Sequence, residues 1–187
     1  WTSPFNIESL EKAGNMNIVV DCIVNSLWIA GELRQDSVIH VVLEGPGNPP
    51  KTITFYGNSL RNADYYQKSI ASIINKALKL GKNLNLNEEL KVQEGVKISK
   101  RSFENLVKEK SKTSQLFYLH QKGQDIRQVE FNKNVTFVFG DYIGMPRKTE
   151  KLLDRLSARR ISLGPKMLFA SQCVTVVNNE LDRKFNR

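Results

Sequence analysis

The segment from residue 160 to residue 179 constrains the fold most, because it joins a short strand to an apolar helix through Leu163, Gly164 and Pro165. Glycine permits the close approach of a ligand or a second chain segment, and proline suits the first position of a helix. The amino end of a helix also carries N–H groups without intrahelical partners. Most junctions of this kind are only turns, so the segment alone predicts a strand, a turn and a helix, with a binding loop as the alternative.

A second glycine-rich loop follows a buried strand upstream, in the run from Val135 to Pro146 that contains Gly140 and Gly144. A charged helix, predicted from about residue 149 to residue 157, separates the two loops. The order strand, loop, helix, strand, loop, helix is typical of parallel sheets covered by helices. We therefore predict an α/β fold with a mainly parallel sheet and helices on both faces, in which the two loops face each other.

Earlier elements follow from hydrophobic spacing and turn residues. The predicted elements are a core helix from Met16 to Leu33, strands from Val38 to Leu43 and from Thr52 to Tyr56, a helix from Tyr65 to Leu80 ended by Gly81, a short strand near Val96 to Ile98, an exposed helix from Ser102 to Lys110 and a strand from Leu116 to Leu119. The length suits a single domain over residues 1–187.

The chain is strongly basic, with 187 residues, a formal net charge of +9 and a pI near 9.6. Clustered Lys and Arg bind phosphates by releasing counterions, so this charge favours a polyanionic partner without separating tRNA from rRNA or DNA. Enrichment of Lys and Glu in surface helices is also typical of heat-adapted proteins, which is the alternative explanation.

The cysteines, histidines and apolar runs disfavour other classes of protein. Cys22 and Cys173 are too few and too far apart for a disulfide scaffold, and neither His40 nor His120 has metal-ligand spacing, so we expect no metal site. The longest apolar runs are interrupted by polar residues, and no segment resembles a signal peptide. We therefore expect a soluble cytoplasmic protein without a membrane partner.

Four motifs in the second half of the chain occur in the order of a known family. They are Q-L-F-Y-L-H-Q-K-G-Q-D-I-R from residue 115, F-V-F-G-D-Y-I-G-M-P from residue 137, I-S-L-G-P-K-M-L-F-A-S-Q-C-V from residue 161 and N-N-E-L-D-R from residue 178. Together with H-V-V-L-E-G-P-G-N-P-P-K-T-I from residue 40, they resemble the SPOUT methyltransferases, and within that class the TrmY family of archaeal tRNA pseudouridine N1-methyltransferases. Residues 31–36 and 63–66 depart from the family pattern.

The resemblance implies S-adenosylmethionine as the cofactor, a deep trefoil knot in the C-terminal half, a homodimer, and a first strand preceding Trp1. The implied reaction is methylation of N1 of the T-loop pseudouridine of tRNA, position 54 in tRNA nomenclature. The alternatives are a related enzyme acting on pseudouridine in small-subunit rRNA, and a basic RNA-binding module without catalysis.

The resemblance also implies which residues surround the cofactor: Leu119, Gly140, Leu163, Gly164, Pro165, Lys166, Leu168 and, at the back of the pocket, Cys173. Methyl transfer from a sulfonium needs mainly orientation, which backbone groups and apolar walls supply. Core packing is the alternative for the apolar residues, and both roles are compatible at Leu119 and Leu168.

Asp36 is the candidate acceptor of the hydrogen bond from the pseudouridine N1–H, the nitrogen that the implied reaction methylates. An ordinary aspartate is a poor base at neutral pH, so we assign it orientation and transition-state hydrogen bonding rather than full proton abstraction. A turn residue preceding a strand is the alternative.

A base in a folded RNA loop must be turned outward to reach such a pocket, while basic residues hold the neighbouring phosphates. The candidates for this role are Arg34, Lys51, Arg61, Arg147, Lys148, Arg159 and Arg160. Lys148 and Lys151 alternate with Glu150 and Asp154, a pattern that is also typical of a solvated helix face.

Overall fold

The computed structural model describes residues 1–141 and 144–185. Its contacts divide the chain into two compact units, Trp1–Phe103 and Glu104–Arg187, called below the amino-terminal and the carboxy-terminal unit. The strands of each unit pair only within that unit, and each unit has its own hydrophobic core.

The amino-terminal unit combines two long helices with two antiparallel sheets. In chain order its helices and strands are α1 (Met16–Leu27), β1 (Trp28–Ile29), β2 (Glu32–Leu33), β3 (Val38–Leu43), β4 (Lys51–Tyr56), α2 (Gln67–Leu80), β5 (Glu89–Gln93) and β6 (Val96–Ser99). β1 and β2 form a small hairpin, and the larger sheet has the strand order β3-β4-β6-β5 with every neighbouring pair antiparallel.

The mainly parallel sheet predicted from the sequence is wrong for this unit. A parallel pair needs a crossover of about a dozen residues or more, whereas β3 and β4 are joined by the short loop 44–50, and β5 and β6 by a turn at Gly95. The core helix also ends at Leu27 rather than at Leu33. Trp28 pairs with Leu33 across a turn at Gly31, whose φ of +89° cannot continue a helix.

Apolar side chains of the long helices pack against the larger sheet. Val20, Ile23 and Leu27 lie at helical spacing along α1 and are fully buried. They share one core cluster with Ile53 and Phe55 of β4. Burying a side chain of this size contributes about 1.5–3 kcal/mol, so this cluster anchors β4 and the chain segments that leave its two ends.

The carboxy-terminal unit is built on a three-stranded parallel sheet. Its elements are α3 (Phe103–Thr113), which begins at the last residue of the preceding unit, β7 (Gln115–Asp125), β8 (Val135–Val138), α4 (Arg147–Arg155), β9 (Arg159–Ser162) and α5 (Ala170–Phe185). The strand order is β8-β7-β9, and both pairs are parallel, as the sequence predicts.

The central strand β7 is interrupted where it faces β9. Ile161 of β9 pairs with Leu119 and again with Gln124, so residues 120–123 leave the ladder and return at the same level. Gly123 makes this return possible, because a Cβ there would lie 2.5 Å from the carbonyl carbon of Ile161.

A second hydrophobic core fills the carboxy-terminal unit. Phe117 of β7 is fully buried, and its ring stacks on Phe137 with centroids 5.3 Å apart and meets Phe131 edge-on at 5.1 Å. Val177 and Leu181, one helical turn apart on α5, belong to the same cluster. This packing fixes α5 to the sheet and thereby positions the loop that precedes the helix.

Candidate functional site

The strand exits of the carboxy-terminal unit meet at one edge of its sheet. β7, β8 and β9 are parallel, with Tyr118 paired to Val138 and Leu119 paired to Ile161. Gly140 follows the end of β8, and Leu163 follows the end of β9. Because the carboxyl ends of parallel strands share an edge, and ligands of open α/β sheets bind there, the structure brings these segments together at the place where a pocket is expected.

Gly140 closes the loop after β8 by a tight approach of the backbone. A Cβ at residue 140 would lie 2.8 Å from the carbonyl carbon of Gly144, so a larger residue would push the loop open. The Gly144 N–H donates a 3.1 Å hydrogen bond to the Asp141 carbonyl, and Gly144 has a φ of +102°. Tyr142 and Ile143, part of the same sequence motif, lie outside the described residues.

Gly164 occupies an open and conformationally restricted position after β9. Its φ is +123°, a region that favours glycine, and no atom lies within 4 Å of where a Cβ would stand. Its N–H donates to Ser162 Oγ at 3.2 Å. Pro165 and Lys166 are also exposed. The backbone of this loop is therefore accessible to a ligand.

The predicted helix start at Pro165 is wrong, because α5 begins at Ala170. Residues 163–169 form an irregular loop instead. The Phe169 N–H donates a 2.9 Å hydrogen bond to Gln172 Oε1, which is one half of a capping box and sets the helix start. Two apolar side chains in this loop, Met167 and Phe169, are 83% and 69% exposed.

The apolar residues predicted to line the pocket are half-buried or buried. Leu119 and Leu163 pack against the core of the carboxy-terminal unit, so the core-packing alternative also holds for them. Leu168 and Cys173 are brought together, since the thiol lies 3.9 Å from the Leu168 carbonyl oxygen. Burial raises the pKa of the Cys173 thiol, which disfavours the reactive thiolate.

A network that the sequence did not reveal links β7, α4 and β9. The buried Tyr118 hydroxyl donates to Asp154 Oδ1 at 2.6 Å and accepts a hydrogen bond from Arg160 Nε, while Arg160 Nη2 donates to Asp154 Oδ2 at 2.7 Å. Burial, followed by the hydrogen bond to Asp154, raises the pKa of Tyr118 to about 12. The hydrogen bonds from Arg160 and Tyr118 lower the pKa of Asp154. The one available signal was a tyrosine in an apolar strand, which needs a buried partner.

This network changes the interpretation of Arg160. The guanidinium predicted to hold RNA phosphates also balances Asp154 and lies over the Tyr118 ring at 5.7 Å. Arg159 is similarly engaged, since its Nη2 donates to Gln124 at 2.9 Å. Arg147 and Lys148 are exposed in the first turn of α4. Positive side chains at the amino end of a helix interact unfavourably with the helix dipole, so these two contribute little to helix stability. An RNA phosphate bound there would be attracted both by the dipole and by the two cations, which makes Arg147 and Lys148 the stronger phosphate-binding candidates.

Asp36 lies in an exposed turn between β2 and β3 of the amino-terminal unit. Gly57 packs against this turn, and its N–H donates a 2.9 Å hydrogen bond to the Ser37 carbonyl. A side chain at residue 57 would not fit, because its Cβ would lie 2.0 Å from the Arg34 carbonyl oxygen. Arg34 itself is half-buried. The geometry is compatible with both interpretations of Asp36, a turn residue and a group that contacts substrate.

Burial disfavours Lys51 as a phosphate-binding residue. Its side chain is fully buried, and Nζ donates a hydrogen bond to the Gly81 carbonyl at the end of α2. Burial, with the charge of Lys100, lowers its pKa. Arg61 is exposed, and one of its guanidinium nitrogens donates to the Leu60 carbonyl at 2.8 Å.

Residues 1–141 and 144–185 contain no group of three His, Cys, Asp or Glu side chains arranged to hold a metal ion. None of their helices has the length and apolar character needed to cross a membrane. A surface groove of about 540 Å³ in the amino-terminal unit is lined by Phe5, Ile7 and the side of α2, and none of the predicted site residues lines it.

Comparison with known proteins identifies the relatives of this chain. The sequence profile of a family described as "Putative SAM-dependent RNA methyltransferase" matches residues 1–185. A "Putative pseudouridine methyltransferase" of Photobacterium profundum is 38% identical over 177 residues, covering 94% of this chain and 89% of that protein. Proteins of the same description from Vibrio vulnificus and Shewanella baltica are 37% and 36% identical over the same shares. These relatives are bacterial, so they lend no support to an archaeal origin.

A solved structure shares the fold. The crystal structure of Archaeoglobus fulgidus Nep1 bound to S-adenosylhomocysteine matches with a TM-score of 0.60 and 12% identity, covering 93% of this chain and 73% of that one. At this level of identity the likeness concerns the fold alone.

Proposed function

This chain belongs to the family of SAM-dependent RNA methyltransferases, and from that membership we propose that it methylates N1 of the T-loop pseudouridine of tRNA, position 54 in tRNA nomenclature. The cofactor of the family is S-adenosylmethionine. The observation that carries the proposal is the meeting of Leu119, Gly140 and the Leu163–Gly164 loop at one edge of the parallel sheet. The names of the bacterial relatives support pseudouridine as the target.

The residues at this edge fit the cofactor. Gly164 leaves space where a side chain would stand, and Gly164, Pro165 and Lys166 are exposed. Leu119, Leu163 and Leu168 are half-buried and offer apolar surface beside that backbone. An adenine ring needs such apolar walls together with a few backbone hydrogen-bonding groups.

The chemistry demands orientation more than activation. S-adenosylmethionine, when bound, supplies a methyl group on a sulfonium, from which the thioether departs without protonation. This chain has to hold the acceptor nitrogen in line with that methyl group, because a near-attack geometry supplies much of the rate. As the N–C bond forms, the N1 proton is released to solvent.

We assign Asp36 the role of orienting the acceptor. Its carboxylate accepts the hydrogen bond from the pseudouridine N1–H, which becomes stronger as the nitrogen loses electron density in the transition state. The turn that carries it is fixed by Gly57 and Ser37, and a fixed turn suits an orienting group. Cys173, buried and with a raised pKa, takes no part as a nucleophile.

Phosphate contacts come from the exposed arginines and lysines. Arg61 in the amino-terminal unit and Arg147 and Lys148 in the carboxy-terminal unit are exposed. Arg34, two residues before Asp36 in the sequence, is half-buried. The net charge of +9 supports a polyanionic substrate. The proposed partner is tRNA, in the cytoplasm.

The proposed assembly is a homodimer of single-domain subunits over residues 1–187, each with a deep trefoil knot at its carboxy-terminal half. The exposed Met167 and Phe169 support a subunit contact, since apolar side chains this exposed gain most from burial by a partner.

Methyl transfer to matched RNA transcripts tests the function. With labelled S-adenosylmethionine, a tRNA transcript carrying pseudouridine in the T-loop should gain label, and the same transcript with uridine should gain none. Equal labelling of both would contradict methylation at N1, because uridine has no ring N–H there. Labelling of small-subunit rRNA alone would favour the related rRNA enzyme, and RNA binding without cofactor binding would favour a non-catalytic module.

A further inference from the structure

Two neighbouring aromatic side chains stand exposed just before α2. Tyr65 is 56% exposed and Tyr66 is 63% exposed, although their rings contact each other with centroids 4.8 Å apart. Neither residue belongs to the core cluster of the amino-terminal unit. Aromatic rings that contribute little to the core and remain open to solvent are typical of recognition surfaces.

The backbone that carries these rings is already ordered. The Asp64 carboxylate accepts a 2.9 Å hydrogen bond from the Tyr66 N–H, and the Asp64 N–H donates to the Ser69 hydroxyl at 3.2 Å. Gln67 Nε2, one residue further, donates to Asp21 of α1 at 3.0 Å. A ligand that stacks on the two rings would therefore lose little affinity to ordering of the loop.

Cations flank the pair in sequence. Arg61 and Lys68 are both exposed. Lys68 is paired with Glu8 at 3.0 Å, but both side chains are more than half exposed, and such surface pairs exchange readily with a stronger anion. Asp64, the acidic residue between them, has its carboxylate bonded to the Tyr66 N–H. Binding sites for single-stranded nucleic acid combine aromatic stacking surfaces with basic side chains in this way.

We propose that Tyr65 and Tyr66 form a stacking platform for unpaired nucleotides of the RNA substrate. The proposal rests on the proposed function only in taking RNA as the ligand. The platform reads no sequence, because every base presents an aromatic face. The flanking cations Arg61 and Lys68 favour an anionic ligand such as RNA at this surface.

Binding of a labelled single-stranded RNA oligonucleotide, measured by fluorescence anisotropy at constant salt, tests the platform. The double variant Tyr65→Ala/Tyr66→Ala should bind about tenfold more weakly, as expected from the loss of one stacked base. Tyr65→Phe/Tyr66→Phe keeps both rings and should bind as wild type does. Leu86→Ala is the matched control, since Leu86 is 64% exposed and its loss should leave binding unchanged. For the same oligonucleotide annealed to its complement, the affinities of wild type and the alanine variant should be nearly equal, because paired bases cannot stack on the two rings.

Several outcomes would overturn the platform. Unchanged single-strand affinity in the alanine variant would do so, as would an equal loss in Leu86→Ala. Dissociation of a dimer in the alanine variant, with RNA affinity retained, would assign the pair to a subunit contact. If the alanine variant does not fold, ultraviolet crosslinking of the wild-type protein to bromouridine-containing RNA decides, because adducts should map to Tyr65 or Tyr66. Failure of the proposed function can be distinguished from failure of the platform. If RNA binding depends on the two tyrosines but the wild-type protein transfers no methyl group, the proposed enzymatic activity is contradicted and the stacking platform is supported.

Discussion

The hydroxyl group of Tyr118 donates a 2.6 Å hydrogen bond to Asp154, and the tyrosine side chain is fully buried. Arg160 binds both groups, so one residue each from β7, α4 and β9 meets at a single point. α4 lies between the two glycine-rich loops in the chain. The network therefore fixes the segment to which both loops are attached.

Tyr118→Phe removes the hydroxyl and keeps the ring. Asp154 and Arg160 lose their shared buried partner, so the free energy of unfolding should fall by about 1–2 kcal/mol at neutral pH. Thermal denaturation followed by circular dichroism measures this. Tyr65→Phe, which removes an exposed hydroxyl, should change stability by less than about 0.5 kcal/mol. Equal effects of the two substitutions would show that the network contributes nothing.

Stability should also depend on this hydroxyl at alkaline pH. The pKa of Tyr118 is raised to about 12, above the ordinary value near 10. The folded state therefore favours the protonated phenol, and its contribution to stability is complete below pH 10 and lost as the pH rises toward 12. The difference in free energy of unfolding between wild type and Tyr118→Phe should shrink over that range. A difference that stays constant up to about pH 12 would contradict the raised pKa.

Gly164→Val should abolish binding of S-adenosylmethionine without unfolding the protein. The branched side chain would fill the open space at the loop and strain a φ of +123°. Gly31→Val is a matched control, because Gly31 has a φ of +89° with nothing within 4 Å of its Cβ position. Both variants should lose a similar amount of stability, on the order of 1 kcal/mol. Calorimetric titration should show cofactor affinity lost only in the first, and retained affinity there would remove this loop from the site.

Asp36→Asn keeps the shape of the side chain and removes its charge. Single-turnover methylation of pseudouridine-containing tRNA should slow by roughly ten- to a hundredfold, while cofactor affinity changes little, because the lost interaction strengthens only in the transition state. Glu44→Gln, an exposed carboxylate after β3, is the control and should react at the wild-type rate. If Asp36→Asn reacts at the wild-type rate, the orienting role of Asp36 is contradicted and the interpretation as a turn residue is supported.

Substitution of Lys51 should affect protein stability, whereas substitution of Arg61 should affect RNA binding. Lys51→Met removes the buried donor to the Gly81 carbonyl, so it should lower the free energy of unfolding by about 1–3 kcal/mol and leave the salt dependence of RNA binding unchanged. Arg61→Ala should leave stability nearly unchanged and reduce the slope of log affinity against log salt by about one. The reverse pattern would return Lys51 to the RNA-binding surface.

The sequence predicted most elements of the fold because hydrophobic spacing reports burial along the chain. α2 and β3 begin and end within two residues of the predicted bounds. Strand direction is not contained in that spacing, which is why the antiparallel larger sheet was missed. β5 was missed as well, since its pattern is largely polar and only Val92 is buried.

Site residues whose conformation depends on the local chain could be predicted from the sequence. Those whose environment depends on partners distant in the sequence could not. Gly140 and Gly164 have the tight approach and the positive φ that their sequence context indicates. Lys51 resembled a surface cation, yet its partner is 30 residues away in the sequence. The bond from Tyr118 to Asp154 spans 36 residues, so the apolar strand around Tyr118 indicates that a partner is needed but not which residue it is.

The interruption of β7 has a mechanical consequence for the pocket edge. Residues 120–123 form a short span whose two ends, Leu119 and Gln124, are both pinned to Ile161. A span tethered twice to one point cannot widen, slide or peel away from β9 without breaking the ladder. Its two ends therefore keep their separation beside the strand exits that lead into the two glycine loops, which limits how far the four residues between them can extend.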